Sequence, residues 1–233
     1  MLPHMVPFKA EHFYRERLAR WCDGRVLPCS QDVRRSINFL RTLQRYATPR
    51  VFSAALHTVL NSWCTARRMK EEDKGCRFKC RDTAADSLEH YSRCPVLRTF
   101  AVDKLGLPPE TVTGMSCWAG MSADDAHDIQ IVKGVLLYTA FRTFNTARHA
   151  ALPMDTAAIN YTLDHFLHKA LDRSTQANAA LLASTRRARH RAAGLPEGVG
   201  TMEDTSSSAL SLPMRRGSDD NNAGGARRRR RVA

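Results

Sequence analysis

Four metal-ligating side chains stand close together in the middle of this chain. The sequence reads Cys76-Arg-Phe-Lys-Cys80, then nine residues, then His90-Tyr-Ser-Arg-Cys94. Two thiolates, an imidazole and a third thiolate are the donor set of a closed, tetrahedral zinc site with no position left for a substrate. The bland alternative is three cysteines buried as small hydrophobes beside a surface histidine. It fits poorly, because this window is among the most polar in the chain. The first pair is spaced C-x3-C, one residue wider than the commoner C-x2-C. The chemistry implied is structural: Cys76, Cys80, His90 and Cys94 bind zinc and fix a knuckle.

A knuckle needs elements to position it. Asp86 is suited to a helix N-cap, with Glu89 three residues on completing a capping box. A helix from Ser87 then puts His90 and Cys94 one turn apart on one face. Gly75 can form the turn before the first pair. On the N-terminal side, apolar spacing predicts a helix over residues 9–21 and a second over 30–47, with Val33, Ile37, Leu40 and Leu43 on its stripe. Thr48-Pro49 starts a third, through Phe52, Ala55, Leu56, Val59, Leu60 and Trp63, which delivers Arg67, Arg68 and Lys70 to its C-terminal end, where cations suit the helix dipole. On the C-terminal side, a helix is expected over 95–105 with Gly106 as its stop. Residues 107–121 are expected to be irregular, with one helical turn. The longest helix should span 123–149, capped by Ser122 with Asp125 in the box position, and a last helix should begin after Asp155.

Residues 67–81 hold seven Lys and Arg against three acids, with Phe78 among them. Basic side chains around a metal knuckle suit a nucleic-acid backbone, and an aromatic can stack on a base. The candidate contacts are Arg67, Arg68, Lys70, Arg77, Phe78, Lys79, Arg81 and Arg93. Phe78, in so small a loop, is expected to be exposed.

Taken as one unit, Ser62-Trp63-Cys64-Thr65-Ala66-Arg67-Arg68, Cys76…Cys80, Asp86-Ser87-Leu88-Glu89-His90-Tyr91 and Cys94-Pro95 resemble the zinc-binding segment that follows the reverse transcriptase domain of non-LTR retrotransposons. The resemblance covers about residues 50–105. It extends more loosely to a helix carrying Leu136, Leu137, Tyr138, Phe141, Asn145 and Arg148. It implies a nucleic-acid-binding accessory to an element-encoded polymerase, with no chemistry of its own; the family's polymerase domain is not among these residues. A degenerate remnant of such an element would carry the same residues.

The bulk numbers agree with an anionic partner. Formal charge is +13 over 233 residues, and +6 of it falls in the last 48. A pI near 9.9 favours nucleic acid first and an anionic membrane second. No apolar run approaches the ~18 residues of a membrane helix, and Met1–Lys9 has no secretory-signal pattern. The seven cysteines are therefore expected as thiols or ligands in a reducing, intracellular setting. From Arg186 the composition turns to Arg, Gly, Ser, Asp and Asn, which predicts a disordered basic tail. Its Arg227–Arg231 block resembles a nuclear localisation signal or a nonspecific polyanion-binding tail.

Other motifs carry less. Asp124-Asp125-Ala-His-Asp128 looks like paired catalytic aspartates or a diphosphate motif. It lacks the flanking strands or the second metal motif that either chemistry needs, and acids in a first helical turn follow from the dipole. His165 and His168 lack partners for a metal site, as do Cys22 and Cys29. The expected architecture is a mostly α-helical domain over 9–185, interrupted by a CCHC zinc knuckle and followed by a disordered tail at 186–233. The expected function is zinc-dependent nucleic-acid binding without catalysis. The alternative is a protein-interaction module in which zinc is purely structural and the helices over 124–171 carry the partner face.

Overall fold

A computed structural model describes residues 10–19, 28–72, 75–80, 85–121, 126–172 and 174–194. The expectations for Cys22, Arg81, the aspartates 124 and 125, the Ser122 cap and the tail beyond residue 194 lie outside these residues. Among the described residues there is no strand. No helix there is long and apolar enough to cross a membrane.

The elements in order are α1 (Ala10–Ala19), α2 (Ser30–Tyr46), α3 (Pro49–Val59), α4 (Ala66–Met69), α5 (Leu88–Tyr91), α6 (Pro95–Asp103), a 3-10 turn (Pro109–Thr111), α7 (Met115–Trp118), α8 (His127–His149), α9 (Thr156–Leu171) and α10 (Thr175–Ala192). Helix α8 is the axis. Every residue from Ile131 to Ala140 is buried, because α2, α3, α9 and α10 all pack on it. A helix covered on all sides needs apolar or small residues on all sides, and Gly134 is the extreme case: a Cβ there would stand 2.5 Å from Leu43 Cδ2. The core around it contains Val33, Phe39, Leu43, Val51, Ala55, Leu136, Phe144, Ile159 and Leu163.

Three expectations about the elements need correction. Helix α3 stops at Val59, short of the basic residues: Leu60 caps it, and Asn61 adopts a left-handed φ of 49°. Arg67 and Arg68 sit instead on the separate single turn α4, whose N-cap Thr65 accepts the Arg68 N–H at 3.3 Å. The expected final helix is two, α9 and α10, with Ser174 capping the second through the Ala177 N–H. The domain also extends past residue 185. Helix α10 continues through Arg186 to Ala192 and lies against Gly106: a Cβ there would stand 2.8 Å from Thr185 Cα, Ser184 Oγ donates to the Gly106 carbonyl at 3.0 Å, and Arg191 donates to the same oxygen at 3.1 Å. Arg187 adds an ion pair with Asp128 on α8. Small residues and backbone contacts make little hydrophobic signal, so the sequence pattern faded there. Residues 107–121, expected to be irregular with a single turn, hold the 3-10 turn and α7.

Candidate metal centre and its basic surround

The four expected ligands converge. One donor atom from each of Cys76, Cys80, His90 and Cys94 lies within 4.8 Å of all the others. Cys76 Sγ is 3.8 Å from Cys94 Sγ, and Cys80 Sγ is 3.3 Å from His90 Nε2. A tetrahedral zinc with bonds of ~2.3 Å to sulfur puts sulfur atoms about 3.8 Å apart. The donor set and spacing therefore fit a metal ion of the soft, tetrahedral kind. Cys76 and Cys94 are buried and Cys80 and His90 half-buried, so the site is closed on its inner side.

The local chain explains the convergence. Gly75 has φ +73° and Lys79 φ +55°, and the Lys79 N–H donates to the Cys76 carbonyl at 3.1 Å. That reverse turn brings the first two thiols to one side. In the second pair α5 is only one turn long, and Cys94 is the N-cap of α6 with Pro95 following. Hydrogen bonds Arg93 N–H to His90 O at 2.8 Å and Cys94 N–H to Tyr91 O at 3.2 Å tighten the chain between them. His90 and Cys94 thus come from the end of one helix and the start of the next.

Asp86 does more than the expected cap, and for a different helix. Ser87 is the N-cap of α5 and accepts the His90 N–H at 3.2 Å. Asp86 is fully buried and turns to α4: Oδ2 accepts the Ala66 N–H at 3.1 Å and Arg77 Nε at 3.2 Å, while Oδ1 accepts the Tyr91 hydroxyl. One carboxylate therefore ties α4, the first ligand turn and α5 together. Burial, then the negative charge of Asp86, pushes the Tyr91 hydroxyl far above its usual range. The Cys76 thiol is also pushed up, first by its hydrogen bond with Cys94, then by burial. A coordinated cation reverses that preference, since it binds thiolates.

Phe78 is the clearest departure from expectation. It is completely buried and meets Tyr91 edge-to-face, with centroids 5.1 Å apart. Tyr91 in turn packs on Trp63 and Phe144, and Trp63 also meets Trp118 and Phe141. The left-handed Lys79 turns the loop so that the ring between the ligands faces the core. It is an anchor for the knuckle, not a base-stacking surface. Arg77 is likewise not a free phosphate contact: its side chain is 18 % exposed and bound to Asp86.

The remaining described candidates are on the surface. Arg67, Arg68, Lys70, Lys79 and Arg93 are exposed. Arg67 reaches Glu89 at 3.5 Å, and Arg68 donates to the Trp63 carbonyl at 3.4 Å. Glu89 thus pairs with Arg67, against its expected place in a capping box. Sequence reasoning gave no role to Arg148, which clamps α8 to this region by donating to the Cys64 carbonyl and to both carboxylate oxygens of Glu71, at 2.7 and 2.9 Å. Its signals were its place among the residues of the looser resemblance and a cation in the last turn of the longest helix. Cys29 and Cys64 are exposed free thiols, and Cys117 is a buried one. His165 and His168 are exposed, with His165 stacked on Tyr161.

No protein-family model, no curated protein and no solved structure matches this chain.

Proposed function

We propose that this chain is a zinc-dependent nucleic-acid-binding module, of the kind found beyond the polymerase domain in non-LTR retrotransposons. One observation carries the reading: the segment that brings together a Cys3His cluster also carries exposed Arg67, Arg68, Lys70, Lys79 and Arg93. Zinc, held by Cys76, Cys80, His90 and Cys94, would supply rigidity and no chemistry. The cations would neutralise phosphates and position the strand, with little discrimination between bases. The resemblance in Trp63, Thr65, the four ligands, Glu89 and Pro95 supports the same reading. With Phe78 in the core, stacking is not part of the knuckle's contribution, and binding there is electrostatic. The test is binding of labelled single- and double-stranded RNA and DNA over a salt series, with and without a chelator. Affinity that falls steeply with salt and collapses with metal removal is expected. Binding that ignores the metal would assign the affinity to other basic segments and leave the knuckle a structural staple.

A further inference from the structure

Cationic side chains also gather away from the knuckle. A cleft of about 550 Å³ lies between α3, α8 and α9, lined among others by Arg50, His57, Phe141, Arg142 and Lys169. No acidic residue lines it. The larger groove beside Cys80, about 1010 Å³, is different: Asp103 and Asp164 stand there against Lys79 and Lys104, and Lys104 already pairs with Asp164 at 3.6 Å. Of these two, the smaller cleft gathers its cations with no acid in its lining. Its three cations come from three different helices, so the fold brings together residues far apart in sequence. They are exposed, on elements that pack firmly through the α8 core.

The wall also carries flat rings. His57 is exposed and lies stacked on Phe141, with centroids 5.2 Å apart and planes 14° from parallel. A hydrogen bond of 2.7 Å between its Nδ1 and Ser62 Oγ fixes the ring. The Arg142 guanidinium lies over Phe166, 5.2 Å from the ring centroid, which orients it at the cleft. Cations without counter-charges beside a fixed planar ring are the two parts of a single-strand site: phosphates meet the cations and a base meets the ring. The size is within the ~300–1,000 Å³ of small-ligand sites, enough for one nucleotide unit of a passing strand.

We propose that this cleft is a second nucleic-acid contact, taking a single strand with its phosphates on Arg50, Arg142 and Lys169 and a base against His57. The proposal rests on the nucleic-acid reading of the chain but concerns a separate surface. It is tested on the full-length protein by lysine footprinting: the acylation rate of each lysine is read by mass spectrometry with and without a saturating short oligo(dT). Lys169 reports the cleft, Lys70 and Lys79 the knuckle, so the basic tail cannot confuse the result. Shielding of Lys169 is expected. In parallel, the combined Arg50→Gln, Arg142→Gln, Lys169→Gln variant should lower the salt slope of oligonucleotide binding by about two units, since each phosphate on a single strand contributes ~0.7. His57→Ala should weaken binding about tenfold. If Lys70 and Lys79 are shielded while Lys169 reacts as before, the cleft proposal fails and the knuckle reading stands. If none is shielded, both fail. Shielding of Lys169 by AMP but not by the oligonucleotide would overturn the strand contact in favour of a mononucleotide site.

Discussion

The knuckle and the bundle around α8 both bury aromatic and aliphatic side chains, but they hold them differently. In the bundle, helices of eleven to twenty-three residues, α2, α3, α8 and α9, lay continuous apolar stripes on one another. Each fully buried side chain contributes ~1.5–3 kcal/mol, and no single one organises the rest. The knuckle has a reverse turn and the one-turn helices α4 and α5. Such pieces are far below the ~12–15 residues at which a helix is marginally stable alone. They are held by one buried carboxylate and by the docking of Phe78 and Tyr91 against the Trp63 cluster, beside four Cys and His side chains that converge as a metal site would require. Distributed packing therefore tolerates local loss, whereas the knuckle depends on a few groups that each do several jobs.

The strongest way to break the contrast is to remove the metal. We expect one zinc per chain in native mass spectrometry. Structural zinc in finger peptides is worth ~10–16 kcal/mol of folding; here the bundle should limit the damage to the knuckle. Chelation or Cys76→Ser should abolish hydrogen-exchange protection across residues 75–94 while α8 and α9 keep theirs. A metal-free Cys76→Ser protein that melts at the wild-type temperature would remove the metal from the account of the fold.

Asp86 comes next. Asp86→Ala leaves the Ala66 N–H, the Tyr91 hydroxyl and Arg77 without their acceptor, the last as a charge that has lost its partner. Breaking a buried pair in this way costs ~3–5 kcal/mol, and chemical denaturation should show a drop of that order. Phe78→Ala should cost a similar ~3–5 kcal/mol as a core truncation. Tyr91→Phe, which removes one hydroxyl from the buried carboxylate, should cost ~1.5–3 kcal/mol. If Asp86→Ala and Tyr91→Phe are equally mild, the carboxylate is not the tie between α4, the ligand turn and α5.

In the bundle a single methyl group is the sharpest probe. Gly134→Ala places a Cβ 2.5 Å from one Leu43 methyl and 2.9 Å from the other, at a site closed on all sides. Overpacking of this kind costs ~1–3 kcal/mol. The loss should appear in the melting temperature and in exchange rates of α2 and α8, with the metal stoichiometry unchanged. Release of zinc by Gly134→Ala would mean that the two regions are more tightly coupled than their construction suggests.

How far the sequence carried this picture depends on the kind of signal. The convergence of Cys76, Cys80, His90 and Cys94 was legible because metal chemistry restricts both residue type and spacing. Helices α2, α8 and α9 were legible because their stripes are long and strongly apolar. Phe78 was not, because the direction of a side chain in a three-residue gap is set by the left-handed turn at Lys79, a position where no glycine advertises it. The break between α3 and α4 depends on Asn61 in the same conformation. Helix α10 was cut short because alanines, a serine and contacts to the Gly106 backbone hold it. The α3–α8–α9 cleft is scattered from Arg50 to Lys169 and has no local motif. Asp86 was read from its neighbours in sequence, whereas its hydrogen bonds lead to Ala66 and Arg77.

The smallest expected effects are those of the knuckle's own surface cations. Lys79 and Arg93 are exposed and stand next to Cys80 and Cys94 of the cluster. Replacing either by Gln should leave the melting temperature and metal content as they are, because exposed charges contribute little to stability. Each should instead lower the slope of log affinity against log salt by about one unit on a duplex, the signature of one lost phosphate contact. The comparison needs Arg77→Gln beside them. Arg77 is tied to Asp86, so its loss should lower stability first and change the slope only if the knuckle loosens. Three variants within one short segment then separate a binding cation from a structural one. Equal slopes in all three, with binding otherwise intact, would place the strand on the other basic surfaces and leave the knuckle to hold α4, α5 and α6 together.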